Sequence, residues 1–269
     1  MTTGQPYCIG KIDLAWNIGR IKSKVFTQLS PQAGCLLAEI SVAWKTHHVN
    51  TEAKTLGIVG LGGFAKEIAW YILESNINIS EINKSIQVHY ISAEKTDEIF
   101  FEGFEVIAET DFLVSLSNPR SHFITVADPR IRSSIDAKYT KAGSLPQSIV
   151  SKNSRIANSA IVGAGSALCP GVMIMPNVKI GSSFHANINS YVAHDCVIGN
   201  YVTFSPGVMC NGNVIIEDNV FVGTGAIIRN GTRNNPIVIG QNSVIGMGAV
   251  VTKNVNPGET VVGMPAKKF

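Results

Sequence analysis

From Ile156 onward, apolar residues return at every sixth position. Ile156, Val162, Leu168, Ile174, Ile180, Ala186, Val192, Ile198, Phe204, Cys210, Ile216, Val222 and Ile228 form an unbroken run of thirteen. In a chain that is 45% apolar, such a run in one chosen frame has a chance of about 3 × 10⁻⁵, and six frames raise it only about sixfold. Four places after most of them comes a small or β-branched side chain: Ala160, Ser166, Val172, Val178, Ser190, Cys196, Val202, Val208, Val214, Val220 and Ala226. The beat resumes at Ile239, Ile245 and Val251 after a five-residue insertion around 231–236. A period of six is neither helix nor alternating strand. It predicts a parallel β-helix of short strands joined by bends, three hexads to a coil. The aliphatics stack inward, coil on coil at ~4.8 Å, and sixteen recognisable hexads predict about five coils.

The segment before the repeat has a different texture. Thr55-Leu-Gly-Ile-Val-Gly60 reads as a buried strand, and Gly60, Gly62 and Gly63 form a tight turn into a helix through Ile68, Tyr71, Ile72 and Leu73. A second strand is predicted at 86–91, a third at 112–116, and a helical region after Pro119. This unit has room for about one half of a dinucleotide fold, which suits a mononucleotide. Upstream, Leu14, Ile18, Ile21, Val25 and Leu29 fit one apolar stripe on a short helix, and 34–44 fits a second. Residues 1–53 therefore read as an appended helical pair without chemistry, or as a stretch ahead of a later, non-Met start. The predicted organisation is 1–53 as an extension, 54–148 as a Rossmann-like nucleotide-sugar-binding domain, and 149–269 as the β-helix.

Composition narrows the partners. Charged residues are 15% of the chain and its net charge is +3, with no Lys/Arg run of the kind that neutralises a phosphate backbone. Nucleic acid is not an expected partner. No run of 18 apolar residues and no signal-peptide pattern is present, so a cytoplasmic protein is expected. The five cysteines contain no C-x-x-C pair, which argues against a disulfide framework and against zinc.

Candidate chemistry centres on His194. It takes the third position of its hexad, from which a side chain projects outward. Counting coils of 18 residues places Gly212 and then Asn230 on the same edge. A base beside an open glycine backbone is a layout for acyl transfer: imidazole takes a proton from the attacking group, and a backbone N–H stabilises the oxyanion. Asp195, next in sequence, is either the orienter of the ring or a solvated corner residue.

Three segments together carry a family resemblance: Gly60-Leu-Gly-Gly-Phe-Ala65, Ala193-His194-Asp195-Cys196-Val197-Ile198-Gly199, and Val262-Gly263-Met264-Pro265-Ala266-Lys267. Over residues 55–269 the chain resembles the left-handed β-helix (hexapeptide-repeat) sugar acetyltransferases of the NeuD/PglD type, which act on nucleotide-activated amino sugars or sialic acid. The resemblance supplies the left hand of the coil, since right-handed crossovers are the usual preference. It implies an α/β Rossmann-like half domain followed by a left-handed parallel β-helix. It also implies a homotrimer in which acetyl-CoA lies between adjacent prisms. By that resemblance His194 is the general base, Asp195 its acidic partner and Gly212 the backbone contact at the thioester. Gly246, Met247 and Pro265 line the cofactor path, and Asn187 lines the acceptor pocket. The turn at Gly60, Gly62, Gly63 and Phe64 cradles the nucleotide diphosphate, while Glu94 and Asn118 face the same crevice.

Three departures stand out. Thr203 sits where well-known members carry a second histidine near the thioester. Phe64 replaces a histidine found in many members, and Ser92-Ala93 replaces an acidic pair. The expected activity is acetyl-CoA-dependent N-acetylation of a nucleotide-linked sugar. O-acetylation of a sialic-acid-like sugar is the alternative within enzymes, because the same base serves both acceptors. A non-catalytic nucleotide-sugar-binding or scaffold β-helix is the alternative outside them. A carbonic-anhydrase-like site needs three zinc histidines, and the repeat holds only His185 and His194.

Overall fold

The computed structural model describes residues 55–74, 86–94, 97, 99–114 and 119–269. The expected helices at 14–29 and 34–44 lie outside these residues. So does Asn118.

The α/β part is built on a sheet of six strands: β1 (Thr55–Val59), β2 (Gln87–Ser92), β3 (Phe100–Phe101), β4 (Phe104–Ala108), β5 (Arg120–Ile124) and β6 (Leu145–Pro146). Their spatial order is β3-β4-β2-β1-β5-β6, parallel except for the β3–β4 pair. All five residues of β1 are buried, as its continuous apolar run requires of a central strand.

The third strand corrects the sequence expectation. Phe112 lies in a helix, Glu109–Val114, and the strand is instead Arg120–Ile124, directly after Pro119. A short apolar run cannot be assigned by periodicity alone. Here Glu109 and Asp111 occupy the first turn, where carboxylates favour a helix, and only Phe112 is fully buried. Meanwhile β5 is buried throughout despite opening with Arg-Ser-His. Its polar side chains find partners internally, Arg120 donating to Ala142 O at 2.6 Å and His122 contacting Ser144 and Asp136. The helix expected after Pro119 begins at Pro129, with Asp128 accepting from the amides of Arg130 and Ile131.

From Ile149 the chain winds into a triangular prism. Strands of two or three residues stack on three faces, in parallel except for Thr260–Val262 with Lys267–Lys268. The first face carries, among others, His185–Ala186, Thr203–Phe204 and Val244–Ile245; the second Met173–Ile174, Tyr191–Val192, Met209–Cys210, Ile227–Ile228 and Val250–Val251; the third Lys179–Ile180, Val197–Ile198 and Val214–Ile216. Partners are 18 residues apart, as in Tyr191 with Met209. The insertion shows as a jump of 23, Val214 pairing with Ile237, and the extra residues close a small turn between Thr232 and Asn235. Every predicted inward residue from Val162 to Ile228 is buried, and Phe184 packs edge-on against Phe204 to fill the interior.

The two parts meet along the first face in one compact unit. Arg132, fully buried, donates to Val126 O and Ala127 O on its own side and to Tyr201 O and Thr203 Oγ1 of the prism. Asp136 accepts from Tyr201 at 2.7 Å and from His122 at 2.7 Å. No helix among the described residues is long and apolar enough to cross a membrane.

Candidate active site

His194 stands on the edge between the second and third faces, in the bend from Tyr191–Val192 to Val197–Ile198. The bend is turned by Asp195, whose backbone is left-handed with φ 60°. Aspartate tolerates that region better than most residues. This conformation brings the Asp195 carboxylate back against its neighbour, and His194 Nδ1–H donates to Oδ2 at 2.8 Å. Hydrogen bonds from His194 and then Asn177 hold the Asp195 carboxyl below its usual pKa. It is therefore anionic at neutral pH and keeps the ring proton on Nδ1, leaving the Nε2 lone pair available. Among the described residues Nε2 has no partner, and the side chain is 59% exposed.

One coil along lies Gly212. A Cβ added there would come within 2.8 Å of both Cε1 and Nε2 of His194. The imidazole thus rests on the bare glycine backbone, and no other residue leaves it room. The Gly212 carbonyl accepts from Gly231 N, while its own N–H has no acceptor among the described residues. A proton acceptor and an unspent amide donor lie side by side on one edge, which is what addition to a carbonyl and stabilisation of the resulting oxyanion require.

Comparisons with known proteins identify the family. Residues 213–253 match the family described as hexapeptide repeat of succinyl-transferase. The chain is 45% identical over 167 residues to GDP-perosamine N-acetyltransferase of Escherichia coli O157:H7, covering 62% of this chain and 76% of that one. It is 39% identical to WeeI from Acinetobacter baumannii AYE, whose structure superposes with a TM-score of 0.74 over 80% of this chain and 99% of that one. The chain belongs to the hexapeptide-repeat sugar acetyltransferases. A further structure, the acetyltransferase domain of PglB from Neisseria gonorrhoeae FA1090 in complex with acetyl coenzyme A, is 26% identical. Its TM-score is 0.70, over 81% of this chain and all of that one. The prism is accordingly the left-handed β-helix that the resemblance implied.

The other expected positions of this acetyltransferase fall in three places. Asn187, Gly246 and Met247 share the edge between the first and second faces, across the second face from His194. Met247 is 81% exposed, and Asn187 Oδ1 accepts from Ile188 N. Pro265, in the terminal segment, follows a cis peptide, and the next residue, Ala266, bonds to Val250 O at the end of the second face.

Gly60 lies at the carboxyl ends of the sheet strands with φ 108°, where a Cβ would meet Thr125 Oγ1 at 2.7 Å. Gly62 and Gly63 open the helix Gly63–Leu73, and an added Cβ at either would touch nothing. That leaves free amides at a helix N-terminus. Phe64 turns away from this opening onto His185, 5.4 Å between ring centres, and His185 also stacks on Phe123. Burial, and then the Arg132 charge, hold His185 well below its usual pKa, so it is neutral. Glu94 is exposed just beyond β2.

Thr203, expected near the thioester, has its hydroxyl engaged inside the protomer. It is buried on the first face, its hydroxyl donating to Ala127 O at 2.8 Å and accepting from Arg132. It fastens the two parts together. Among the described residues no cluster of three or more His, Cys, Asp or Glu could hold a metal.

Sequence reasoning missed Asn177, whose Nδ2 donates to Asp195 Oδ1 at 3.1 Å. It also missed the structural use of Cys196, whose buried thiol donates to Asn211 O at 3.1 Å directly behind Gly212. The distance of 18 residues between Asn177 and Asp195 puts the two on one edge but does not show that they bond.

Proposed function

We propose that this acetyltransferase transfers the acetyl group of acetyl-CoA to the amino group of a nucleotide-linked sugar, with His194 as general base. The observation that carries the proposal is the imidazole laid on Gly212 with Nδ1 tied to Asp195. His194 Nε2 takes the proton of the amine as nitrogen bonds to the thioester carbonyl carbon. The Gly212 N–H donates to the oxygen that becomes negative. The C–S bond then breaks, and imidazolium returns the proton to the departing sulfur, giving amide and free thiol. Asp195 holds the ring in one tautomer and stabilises its charged form throughout.

The acceptor's nucleotide goes to the α/β part, 54–148. Its glycine turn offers free amides to a diphosphate at Gly62 and Gly63. Identity of 45% to a GDP-perosamine N-acetyltransferase favours a GDP-linked amino sugar. The working form is a homotrimer. A ladder of outward apolar side chains, Met173, Tyr191, Met209 and Ile227, runs in register up the second face, with the three aliphatic members about 40% exposed. Burying this ladder against a neighbour brings the His194 edge to the neighbour's Asn187–Met247 edge.

The test is release of free CoA thiol with GDP-, UDP- and dTDP-linked amino sugars. Turnover is expected with GDP-perosamine and loss of about 10²–10⁴ in kcat for His194→Ala. Absence of turnover with all three classes, or near-wild-type turnover of the variant, overturns the proposal.

A further inference from the structure

Four residues spaced by 18 occupy one position along the catalytic edge: Ser159, Asn177, Asp195 and Asn213. The last three all have left-handed backbone, with φ 62°, 60° and 57°. Asparagine and aspartate suit such bends whatever their side chains do, so backbone conformation alone would explain their presence. It does not explain the line of hydrogen bonds joining them. Asn177 N–H donates to Ser159 Oγ at 3.0 Å, one coil below. Asn177 Nδ2 donates upward to Asp195 Oδ1 at 3.1 Å. The other oxygen, Oδ2, takes the proton of His194 Nδ1 at 2.8 Å. Three coils are thus connected in a single file that ends at the base.

The Asp195 side chain is 46% exposed. A carboxylate turns easily about its terminal torsion, and water competes for both oxygens. Held by His194 alone, it could swing and take the ring with it. A second hydrogen bond on the opposite oxygen fixes the plane of the carboxylate and hence the direction of the Nδ1–H bond. We propose that Asn177 is a positioning residue for the acetyl transfer, acting through Asp195 to hold the imidazole over Gly212. This rests on His194 being the general base. The ionisable groups electrostatically coupled to Asp195 are His194, Arg233 and the Cys196 thiol. Arg233 is a cation in the inserted turn, so among the described residues Asn177 is the one hydrogen-bond donor to the carboxylate side chain that does not itself ionise.

Two substitutions separate positioning from turn-filling. Asn177→Gly keeps the left-handed backbone and removes the amide. Asn177→Asp keeps the size and the backbone tolerance but replaces the donor with a second carboxylate. Positioning predicts that Asn177→Gly lowers kcat about tenfold, with KM for both substrates and the thermal midpoint unchanged. It predicts that Asn177→Asp moves the acid limb of the kcat/KM profile to higher pH by up to about one unit, because an added negative charge favours imidazolium. Wild-type kcat in Asn177→Gly, or an acid limb that does not move in Asn177→Asp, overturns it. Should Asn177→Gly fail to fold, the pH profile of Asn177→Asp decides alone. His194→Ala is assayed in parallel. Retained turnover there removes the underlying base, whereas an inactive His194→Ala beside a fully active Asn177→Gly removes only the positioning role.

Discussion

At the scale of single residues, the site turns on how little room Gly212 leaves. A methyl group there meets the far end of a solvent-facing ring rather than backbone or core. Gly212 is not one of the positive-φ glycines, so alanine can adopt its conformation. The ring moves aside at almost no cost in folding, but it moves off the reaction axis. Gly212→Ala is therefore expected to keep the wild-type thermal midpoint and to lose about 10²-fold in kcat/KM, checked by melting curves and steady-state rates on one preparation. Asp195→Asn is expected to lose at least about 10²-fold in kcat, because an amide no longer fixes the tautomer. It also moves the acid limb to lower pH, since imidazolium loses its counter-charge. The pair of His194 and Asp195 was legible because its members are adjacent in sequence. Asn177 was not, because its contact runs between coils and a hexad count fixes stacking without fixing which side chains bond. The hydrogen bonds of Thr203 were hidden for a related reason. Its hexad position gave its face of the prism but not the Arg132 that covers it.

At the scale of elements, legibility followed burial of apolar side chains. The hexads declare themselves because the inward position of each is apolar, and β1 because its buried run is apolar after Thr55. The strand Arg120–Ile124 was hidden by polar residues that are buried for a purpose, since they carry the joint between sheet and prism. That joint has a pH dependence. Burial pushes the Asp136 carboxyl up, but hydrogen bonds from His122 and Tyr201 outweigh it and leave the pKa lowered. A carboxyl whose folded pKa lies below its unfolded value, about 3.9, contributes stability that is present above that value. The contribution is lost as pH falls through the folded value. Stability should therefore drop as pH falls below about 4, and Asp136→Asn should flatten the part of that slope due to this group, measured by urea midpoints from neutral to acid pH. Arg132 presents the opposite case. Burial lowers its pKa to about 10, yet its guanidinium bridges carbonyls of both parts. Arg132→Ala takes the guanidinium donor from those carbonyls and is expected to cost about 3 kcal/mol, read from the same urea curves at neutral pH.

At the scale of the whole molecule, the expected positions divide between two edges of the prism. His194, Asp195 and Gly212 lie on one, Asn187, Gly246 and Met247 on the other, with the apolar second face between them. A single protomer cannot bring both edges to one thioester, but a closed three-fold ring can, because its heterologous interface joins one edge of each protomer to the other edge of the next. The consequence can be tested without a structure of the assembly. His194→Ala lacks the base but keeps an intact second edge. Met247→Glu keeps the base but sets a carboxylate on the proposed cofactor path at an exposed position, where it should fold normally. Each homotrimer is expected to be nearly inactive. If the two chains are co-expressed in equal amounts and assemble at random, a site is complete when its base comes from the Met247→Glu chain and its other edge from the His194→Ala chain. That holds for about one interface in four, so the mixture should recover about a quarter of wild-type activity. Sites contained within one protomer would recover none, because every protomer then carries one lesion in its own site. The recovered fraction thus reports directly whether the neighbour completes the site.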